Sequence, residues 1–138
     1  MAKLIVWDLE IAKNVEEMDG ATQEERWAAV RAGMAGISCL ILYDSETRRY
    51  HLYDKHTLDA AVDHLNSADL LISFNGIAFD SEVIYGITGR YITAAQYDIL
   101  HEIWRALERK QKGFKLNEVA WRTIKMRKSD HGDGAPTL

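Results

Sequence analysis

The sequence predicts an α/β domain built on a mixed five-stranded sheet with helices on both faces. Short runs rich in Ile, Val, Leu and aromatic residues indicate strands, and amphipathic stretches between the later runs indicate helices. A polar turn at residues 44–47 joins two of the strands as a hairpin. A strand, a hairpin and then alternating helices and strands place the hairpin at one edge of the sheet and parallel strands at the other.

The first predicted strand, residues 4–11, organises this arrangement. It is short and rich in Ile, Val and Trp, which is typical of a strand buried on both faces. Asp8 and Glu10 interrupt it, and the two-residue period of a strand puts both side chains on one face. Two neighbouring carboxylates repel each other and are costly to desolvate, so a divalent cation between them would stabilise the pair. Alternatively, the strand ends at Trp7 and both carboxylates face water.

The other elements follow from caps, periodicity and glycine. Thr22 and Glu25 resemble a capping box, and Thr57 is a candidate N-cap of the second helix. Further strands are predicted at 37–43, 48–53, 68–74 and 91–97. Helices are predicted from residue 22 to 33 or 36, at 57–66, from 79–80 to before 86 or 89, at 99–112, and at 116–126 with Leu116, Val119, Ala120, Thr123 and Ile124 facing inward.

Composition indicates a single soluble domain. The 138 residues, 47% hydrophobic and 28% charged, are enough for one core, and no apolar run is long enough to cross a bilayer. A single cysteine, Cys39, excludes an internal disulfide, and its apolar neighbours predict that it packs in the core. We therefore expect a cytoplasmic protein with no membrane partner. The histidines His51, His56, His64 and His101 are interpreted as surface or core residues.

The net charge of −4 is unevenly distributed. Residues 1–104 contain 8 Lys and Arg against 17 Asp and Glu, whereas residues 105–128 contain 9 Lys and Arg against 2 Glu. A basic segment beside an acidic body fits a protein that binds a polyanion with one region and cations with another. The alternative is that these charges form the solvated faces of two helices.

Three carboxylates are expected to meet at one edge of the sheet. Asp8 and Glu10 lie at the carboxyl end of the first strand, and residues 73–76 lie at the same end of a neighbouring strand if the two are parallel. Asp80 then falls in the first turn of the next helix. Hard oxygen ligands select Mg²⁺ or Mn²⁺, and a pair of such ions supports phosphodiester hydrolysis.

These residues carry a resemblance to a known family. Asp8-Leu9-Glu10 resembles the first motif, D-x-E, of the DEDD superfamily of 3′–5′ exonucleases, which have the ribonuclease-H-like fold. Asn75-Gly76-Ile77-Ala78-Phe79-Asp80 resembles the second motif, N-x-x-x-F-D, in the form found in the proofreading domains of family B DNA polymerases. Residues 97–100 resemble the following strand-to-helix junction, and residues 115–120 with 128–129 resemble the later helix and loop.

The resemblance implies a metal-dependent 3′–5′ exonuclease that acts on the 3′ end of nucleic acid, with single-stranded DNA as the expected substrate. Asp8, Glu10 and Asp80 would be the catalytic residues and the ligands of Mg²⁺ or Mn²⁺, in a two-metal site when the domain is complete. Leu9 and Ile11 would flank the terminal nucleotide, and Asn75 and Phe79 would contact it, Phe79 by stacking.

Other interpretations of the second motif remain open. Asn75 and Gly76 also suit a plain turn, and Phe79 also suits a core aromatic position. Asp98 is interpreted either as a support for the site or as the N-cap of the helix that starts at Ile99, and the cap is favoured.

The chain departs from the family at the third motif, a Tyr or His followed after three residues by Asp. That motif lies beyond the matching region, and Asp130, His131 and Asp133 are the only late candidates, in a glycine-containing stretch. Residues 1–138 are therefore expected to form one ribonuclease-H-like domain that lacks the last helix, with weak or no turnover. Self-association, or a second polypeptide that completes the fold, is then expected. The rival hypothesis is a non-catalytic module of the same fold that binds nucleic acid or protein.

Overall fold

The computed structural model describes residues 1–126. Its strands are β1 (Leu4–Ile11), β2 (Ile37–Asp44), β3 (Arg49–Tyr53), β4 (Leu70–Ser73) and β5 (Gln96–Asp98). Its α-helices are α1 (Gln23–Arg31), α2 (Leu58–Asn66), α3 (Ser81–Thr88), α4 (Ile99–Leu107) and α5 (Leu116–Ile124). A 3-10 turn covers Val15–Glu17, and a single π-helical turn covers Gly76–Asp80.

The sheet has the predicted mixed topology. Its strand order is β3-β2-β1-β4-β5; β1, β2 and β3 pair antiparallel, whereas β4 pairs parallel with both β1 and β5. The hairpin therefore forms one edge and the parallel strands form the other. This confirms the α/β fold class.

One face of the sheet is covered by the hydrophobic core. Ile5, Trp7 and Leu9 of β1 point to this face and are at most 5% exposed. Helices α1, α2 and α3 pack on it, and the predicted apolar stripe of α2, Leu58, Ala61, Val62 and Leu65, is entirely buried. The α1 cap also forms as expected, because the Thr22 hydroxyl accepts the N–H of Glu25.

Residues 1–126 leave the other face of the sheet largely open, and within this part of the chain β1 is not buried on both sides as predicted. The burial of β1 alternates, with Val6 48% exposed and Asp8 also exposed. Ile41 and Leu52 extend this open face across β2 and β3. Helices α4 and α5 reach it only in part, since Ile99 and Leu116 line a cavity of about 510 Å³ above it.

Several element ends differ from the prediction for local reasons. The strand expected at 91–97 shortens to β5, and α4 ends at Glu108, which adopts a left-handed conformation at φ 59°, instead of continuing to residue 112. For α3 the second of the two predicted ends is confirmed, because the helix continues through Gly86 and stops before Gly89, φ 71°. Thr57 precedes α2 without capping it through its side chain, since its hydroxyl contacts Asp54 instead.

Helix α5 lies on the surface, contrary to the inward stripe predicted for it. None of its residues is buried, and Leu116 and Ile124 are 39% and 64% exposed. Cys39 is also not a core residue. It is half-buried on the open face, directly opposite Glu10 in the β1–β2 pair.

Candidate metal centre and nucleic-acid surface

Asp8 and Glu10 extend beyond the end of the neighbouring parallel strand. Val6 pairs with Ile72, and β4 stops one residue later at Ser73, while β1 continues to Ile11. The two carboxylates therefore lie beside the segment that follows β4. Asp8 is exposed, Glu10 is half-buried, and both line the cavity above the open face.

The segment after β4 turns sharply and brings Asp80 towards β1. Asn75 is left-handed at φ 64°, and the π-helical turn that follows contacts β1. Asn and Asp tolerate this backbone region better than other residues with a side chain. A π-helical turn is rare and is often found at functional positions. Here it lengthens the path between β4 and α3 and ends on Asp80.

Asp80 is the buried member of the acidic group, at 5% exposure. Burial raises the pKa of its carboxyl well above the usual range, and the negative charges of Asp8, Glu10 and Asp98 raise it further. Electrostatic coupling of this kind requires the carboxylates to lie near one another. The charges of Asp8 and Glu10 thus act on Asp80, and the role of the three residues as ligands of one metal ion stays a prediction.

Asp98 fixes the turn that carries Asp80. Its side chain is 2% exposed and accepts the backbone N–H groups of Asn75 at 2.7 Å and Ile77 at 3.1 Å. It also accepts the N–H groups of Leu100 and His101 at the start of α4, which confirms the predicted cap. The cap interpretation of Asp98 is therefore confirmed, and its support of a site stays a prediction.

The donor set of the acidic group suits a hard divalent cation. Three carboxylates supply oxygen ligands, and a bound dication would offset the repulsion that raises the pKa of Asp80. Magnesium and manganese fit such a set, and sulfur- or imidazole-seeking ions do not.

The four residues predicted to contact a nucleotide lie in two separate parts of the structure. Leu9 is 5% exposed and Ile11 packs against the core, so both lie on the face of β1 opposite Asp8 and Glu10. Asn75 and Phe79 line a separate cavity of about 580 Å³. The roles of these four residues in binding stay predictions, and the buried position of Leu9 favours a packing role for its side chain.

The second cavity is basic and aromatic. Its wall contains the side chains Arg31, Phe79, His101, Trp104, Arg105, Arg109 and Lys110. Phe79 meets the ring of Trp27 edge-on, with centroids 5.7 Å apart, and it is partly buried against the core. The alternative prediction, that Phe79 is a core aromatic residue, therefore applies in part. The Lys110 Nζ lies 5.7 Å from the centroid of Trp104, which stacks on His101. This combination of charge and flat rings suits a single-stranded polyanion with bases.

The basic segment continues along α5, where cationic side chains again lie over aromatic rings. The Arg122 guanidinium lies over Phe114 and the Lys125 ammonium over Trp121, 5.6 and 5.7 Å from the ring centroids. Residues 127 and 128, and the late candidates Asp130, His131 and Asp133, lie outside the described residues.

Sequence reasoning missed one polar cluster, formed by Asp44, His51 and His64. His51 and His64 had been interpreted as ordinary surface or core residues. The alternation of the hairpin could have indicated that His51 shares the face of Leu42, its partner across the strands. The approach of His64 from α2 required the tertiary structure.

Solved structures confirm the fold. A family B DNA polymerase from the hyperthermophilic archaeon Pyrobaculum calidifontis is similar over 92% of this chain and 19% of its own, with a TM-score of 0.61 and 12% identity. A structure of exonuclease I is similar over 96% of this chain and 38% of its own, with a TM-score of 0.55 and 10% identity. No family model matches the chain, and no curated protein matches its sequence.

At these identities the likeness establishes the ribonuclease-H-like exonuclease fold and not an activity. The chain spans well under half the length of either structure. Within residues 1–126, no helix has both the length and the apolar character needed to cross a membrane.

Proposed function

We propose that this chain is a metal-dependent 3′–5′ exonuclease domain of the DEDD type, acting on the 3′ end of single-stranded DNA. The proposal rests above all on the acidic group of Asp8, Glu10 and Asp80. Their order and spacing match the first two motifs of that superfamily, and the raised pKa of Asp80 reflects their proximity. Similarity of the fold to a family B polymerase and to exonuclease I supports the same reading.

Each acidic residue has a distinct part in the proposal. Asp80, which is buried, would be the fixed ligand, and Asp8 and Glu10 would bind from the open side that a substrate can reach. Bound Mg²⁺ or Mn²⁺ would supply activation of water and stabilisation of the leaving oxygen. Asp98 would act as a positioning residue, because it holds the turn that carries Asp80.

The basic and aromatic cavity would hold the strand. Phe79 and Trp104 offer ring faces for bases, and Arg105, Arg109 and Lys110 offer positive charge for phosphates. Stacking tolerates any base, so this surface would bind single strands with little sequence preference.

Asp98 is not proposed as a further metal ligand, because its oxygens already accept four N–H groups. The three proposed ligands Asp8, Glu10 and Asp80 are expected to bind one ion well and a second ion weakly.

Manganese binding and DNA cleavage test the proposal together. Isothermal titration with Mn²⁺ should show one main site, and Asp80→Asn should weaken it at least tenfold, whereas Asp19→Asn, an exposed acidic control, should not. A 5′-labelled single strand should shorten from its 3′ end only with Mn²⁺ or Mg²⁺. Unchanged Mn²⁺ affinity in Asp80→Asn would contradict the proposal.

A second candidate is a non-catalytic nucleic-acid-binding module, which the basic and aromatic surface favours. The Asp8→Ala and Asp80→Ala variants separate the two functions. The exonuclease requires these variants to lose cleavage and keep most of their affinity for DNA in EDTA. The module requires that the parent chain cleaves no DNA with Mn²⁺ or Mg²⁺, and that Trp104→Ala abolishes binding.

A further inference from the structure

A second group of metal-binding side chains lies away from the acidic group. Asp44, His51 and His64 each present one ligand atom, and these atoms all lie within 4.8 Å of one another. We propose that Asp44, His51 and His64 bind a divalent ion that prefers imidazole nitrogen, with Zn²⁺ as the best fit. This site is independent of the proposed exonuclease activity.

The two groups occupy opposite faces of the sheet. Asp44 ends β2 opposite Ile5 of β1, and its side chain is 1% exposed on the core face, beneath α2. Asp8, the nearer acidic residue of β1, lies three residues further along the strand on the open face. At about 3.4 Å per residue, the two levels are roughly 10 Å apart along the strand. One ion cannot be shared between them.

The geometry around His64 is that of a supported ligand. Its Nε2 lies 2.7 Å from Asp44 Oδ2, and its Nδ1 lies 2.6 Å from the Tyr53 hydroxyl. In the ion-free chain the Asp44 carboxylate accepts the Nε2 proton of His64. An ion bound at Nε2 would require the imidazole proton to lie on Nδ1, where the Tyr53 oxygen can accept it. Metal-binding histidines commonly have such a partner on the second nitrogen.

His51 completes the set from β3. Its ring meets that of His64 edge-on, with centroids 4.6 Å apart. Its Nε2 lies 3.0 Å from the Thr47 hydroxyl in the β2–β3 turn, so this ring is also held by a neighbour. Strands β2 and β3 and helix α2 thus each position one ligand.

Asp44 supplies the carboxylate of the set from the end of β2. Its Oδ1 accepts the Glu46 N–H at 2.8 Å, and its Oδ2 is the atom that faces His64. Two imidazoles and one carboxylate match the ligands of zinc sites that keep the fourth position of a tetrahedron open. Imidazole donors favour Zn²⁺ over Mg²⁺, so the two groups would select different ions.

Lys3 competes with the metal for Asp44. Its Nζ lies 3.6 Å from Asp44 Oδ2, and its side chain is 19% exposed, which leaves it room to swing into solvent when an ion binds. Removal of this positive charge should strengthen metal binding. Lys3→Gln is therefore expected to raise the Zn²⁺ affinity several-fold, an effect that a purely structural ion pair would not predict.

Zinc titration of the tag-free full chain tests the proposal. The background is Asp8→Asn with Asp80→Asn, which removes the acidic group as a competitor. We expect one Zn²⁺ per chain and a tetrahedral Co²⁺ absorption spectrum. His51→Gln and His64→Gln should each weaken Zn²⁺ binding at least tenfold, and Tyr53→Phe by about ten- to a hundredfold. His56→Gln, at an exposed turn, is the matched control and should bind as the parent does.

Zinc affinity that stays unchanged in both His51→Gln and His64→Gln would overturn the proposal, as would the absence of binding in the parent. Circular dichroism and thermal unfolding check that each variant is folded. His51 is only half-buried, so His51→Gln keeps the test decisive if His64→Gln does not fold. Manganese binding by the chain with Asp8 and Asp80 intact should not respond to either histidine variant.

Discussion

The carboxylate of Asp98 accepts the backbone N–H of Asn75 at 2.7 Å and so joins the start of α4 to the turn after β4, 23 residues earlier in the sequence. The same side chain accepts N–H groups from Ile77, Leu100 and His101. One buried carboxylate therefore sets the position of the segment that carries Phe79 and Asp80.

Asp98→Ala should destabilise the protein severely. A lost helix cap costs about 1 kcal/mol, and each buried N–H without a partner costs about 1–3 kcal/mol, so we expect a loss of about 3–5 kcal/mol in urea unfolding. Asp54→Ala is the matched control, because Asp54 also accepts two backbone N–H groups, from His56 and Thr57, but in an exposed loop. Equal losses in the two variants would contradict the role given to Asp98.

The metal-free protein should lose stability as the pH rises above about 4, because of Asp80. Burial and the charges of Asp8 and Glu10 raise the pKa of Asp80 in the folded chain. Between the ordinary pKa and this raised value the folded state binds more protons than the unfolded state, so its stability falls with rising pH. Asp80→Asn should remove this part of the pH dependence and stabilise the metal-free protein by about 1–3 kcal/mol at pH 7.

Urea unfolding in EDTA at pH 4, 5.5 and 7 measures this difference. Mn²⁺ at a hundred times its dissociation constant should add about 2.7 kcal/mol to the free energy of unfolding of the parent protein, and much less to that of Asp80→Asn. A variant that is less stable than the parent at every pH in EDTA would refute the prediction.

The thiol of Cys39 should react slowly with iodoacetamide. Burial raises its pKa, and the charges of Glu10 and Asp8 raise it further, so the reactive thiolate forms at higher pH than the usual midpoint of about 8.5. Glu10→Gln should move the midpoint of the rate–pH profile downwards. Glu46→Gln, in the turn that follows β2, should leave the midpoint of the profile unchanged. An equal shift of the midpoint in both variants would contradict the effect of the Glu10 charge on Cys39.

Gly86→Ala should destabilise the contact between α1 and α3. A Cβ at this position would lie 2.3 Å from the backbone carbon of Ala32, which neither helix can relieve without moving. Alanine adds about 1 kcal/mol of helix propensity, but overpacking outweighs it, and we expect a net loss of about 2 kcal/mol. Gly89→Ala, with open space around it but φ 71°, should cost about 1 kcal/mol, and thermal unfolding distinguishes the two.

The elements that were predicted well are those in which a local pattern and the tertiary environment agree. The α2 stripe reappears as a buried side because it packs against the core face, and the polar turn forms the predicted β2–β3 hairpin. The placement of the hairpin at one edge and the parallel strands at the other followed from the sequence of elements.

The failures occur where burial depends on what lies above the sheet. The apolar residues of β1 suggested two covered faces, but within the described residues no element covers Val6 and Ile41 fully. The stripe of α5 has the right period, yet its helix packs on the surface. A period shows which residues share a face and does not show what that face meets.

The candidate site, too, has parts that the sequence predicts and parts that it does not. Asp8, Glu10 and Asp80 could be identified from motif spacing, and the N-cap role of Asp98 from its position before Ile99. The left-handed Asn75 and the π-helical turn that directs Asp80 back to β1 depend on long-range hydrogen bonds, in which Asp98 accepts the N–H groups of Asn75 and Ile77. No local sequence pattern contains these contacts.

The sheet itself separates the two candidate ion-binding clusters, because Asp44 lies on its core face with Trp7 whereas Asp8 and Glu10 lie on its open face. Because the clusters share no side chain and point away from each other across the sheet, substitutions in one should combine additively with substitutions in the other. A double-mutant cycle between Asp80 and His64 should therefore give a coupling energy within about 0.5 kcal/mol of zero. Evolution, or an engineer, could change the ion chemistry on one side of this small sheet while leaving the other side untouched.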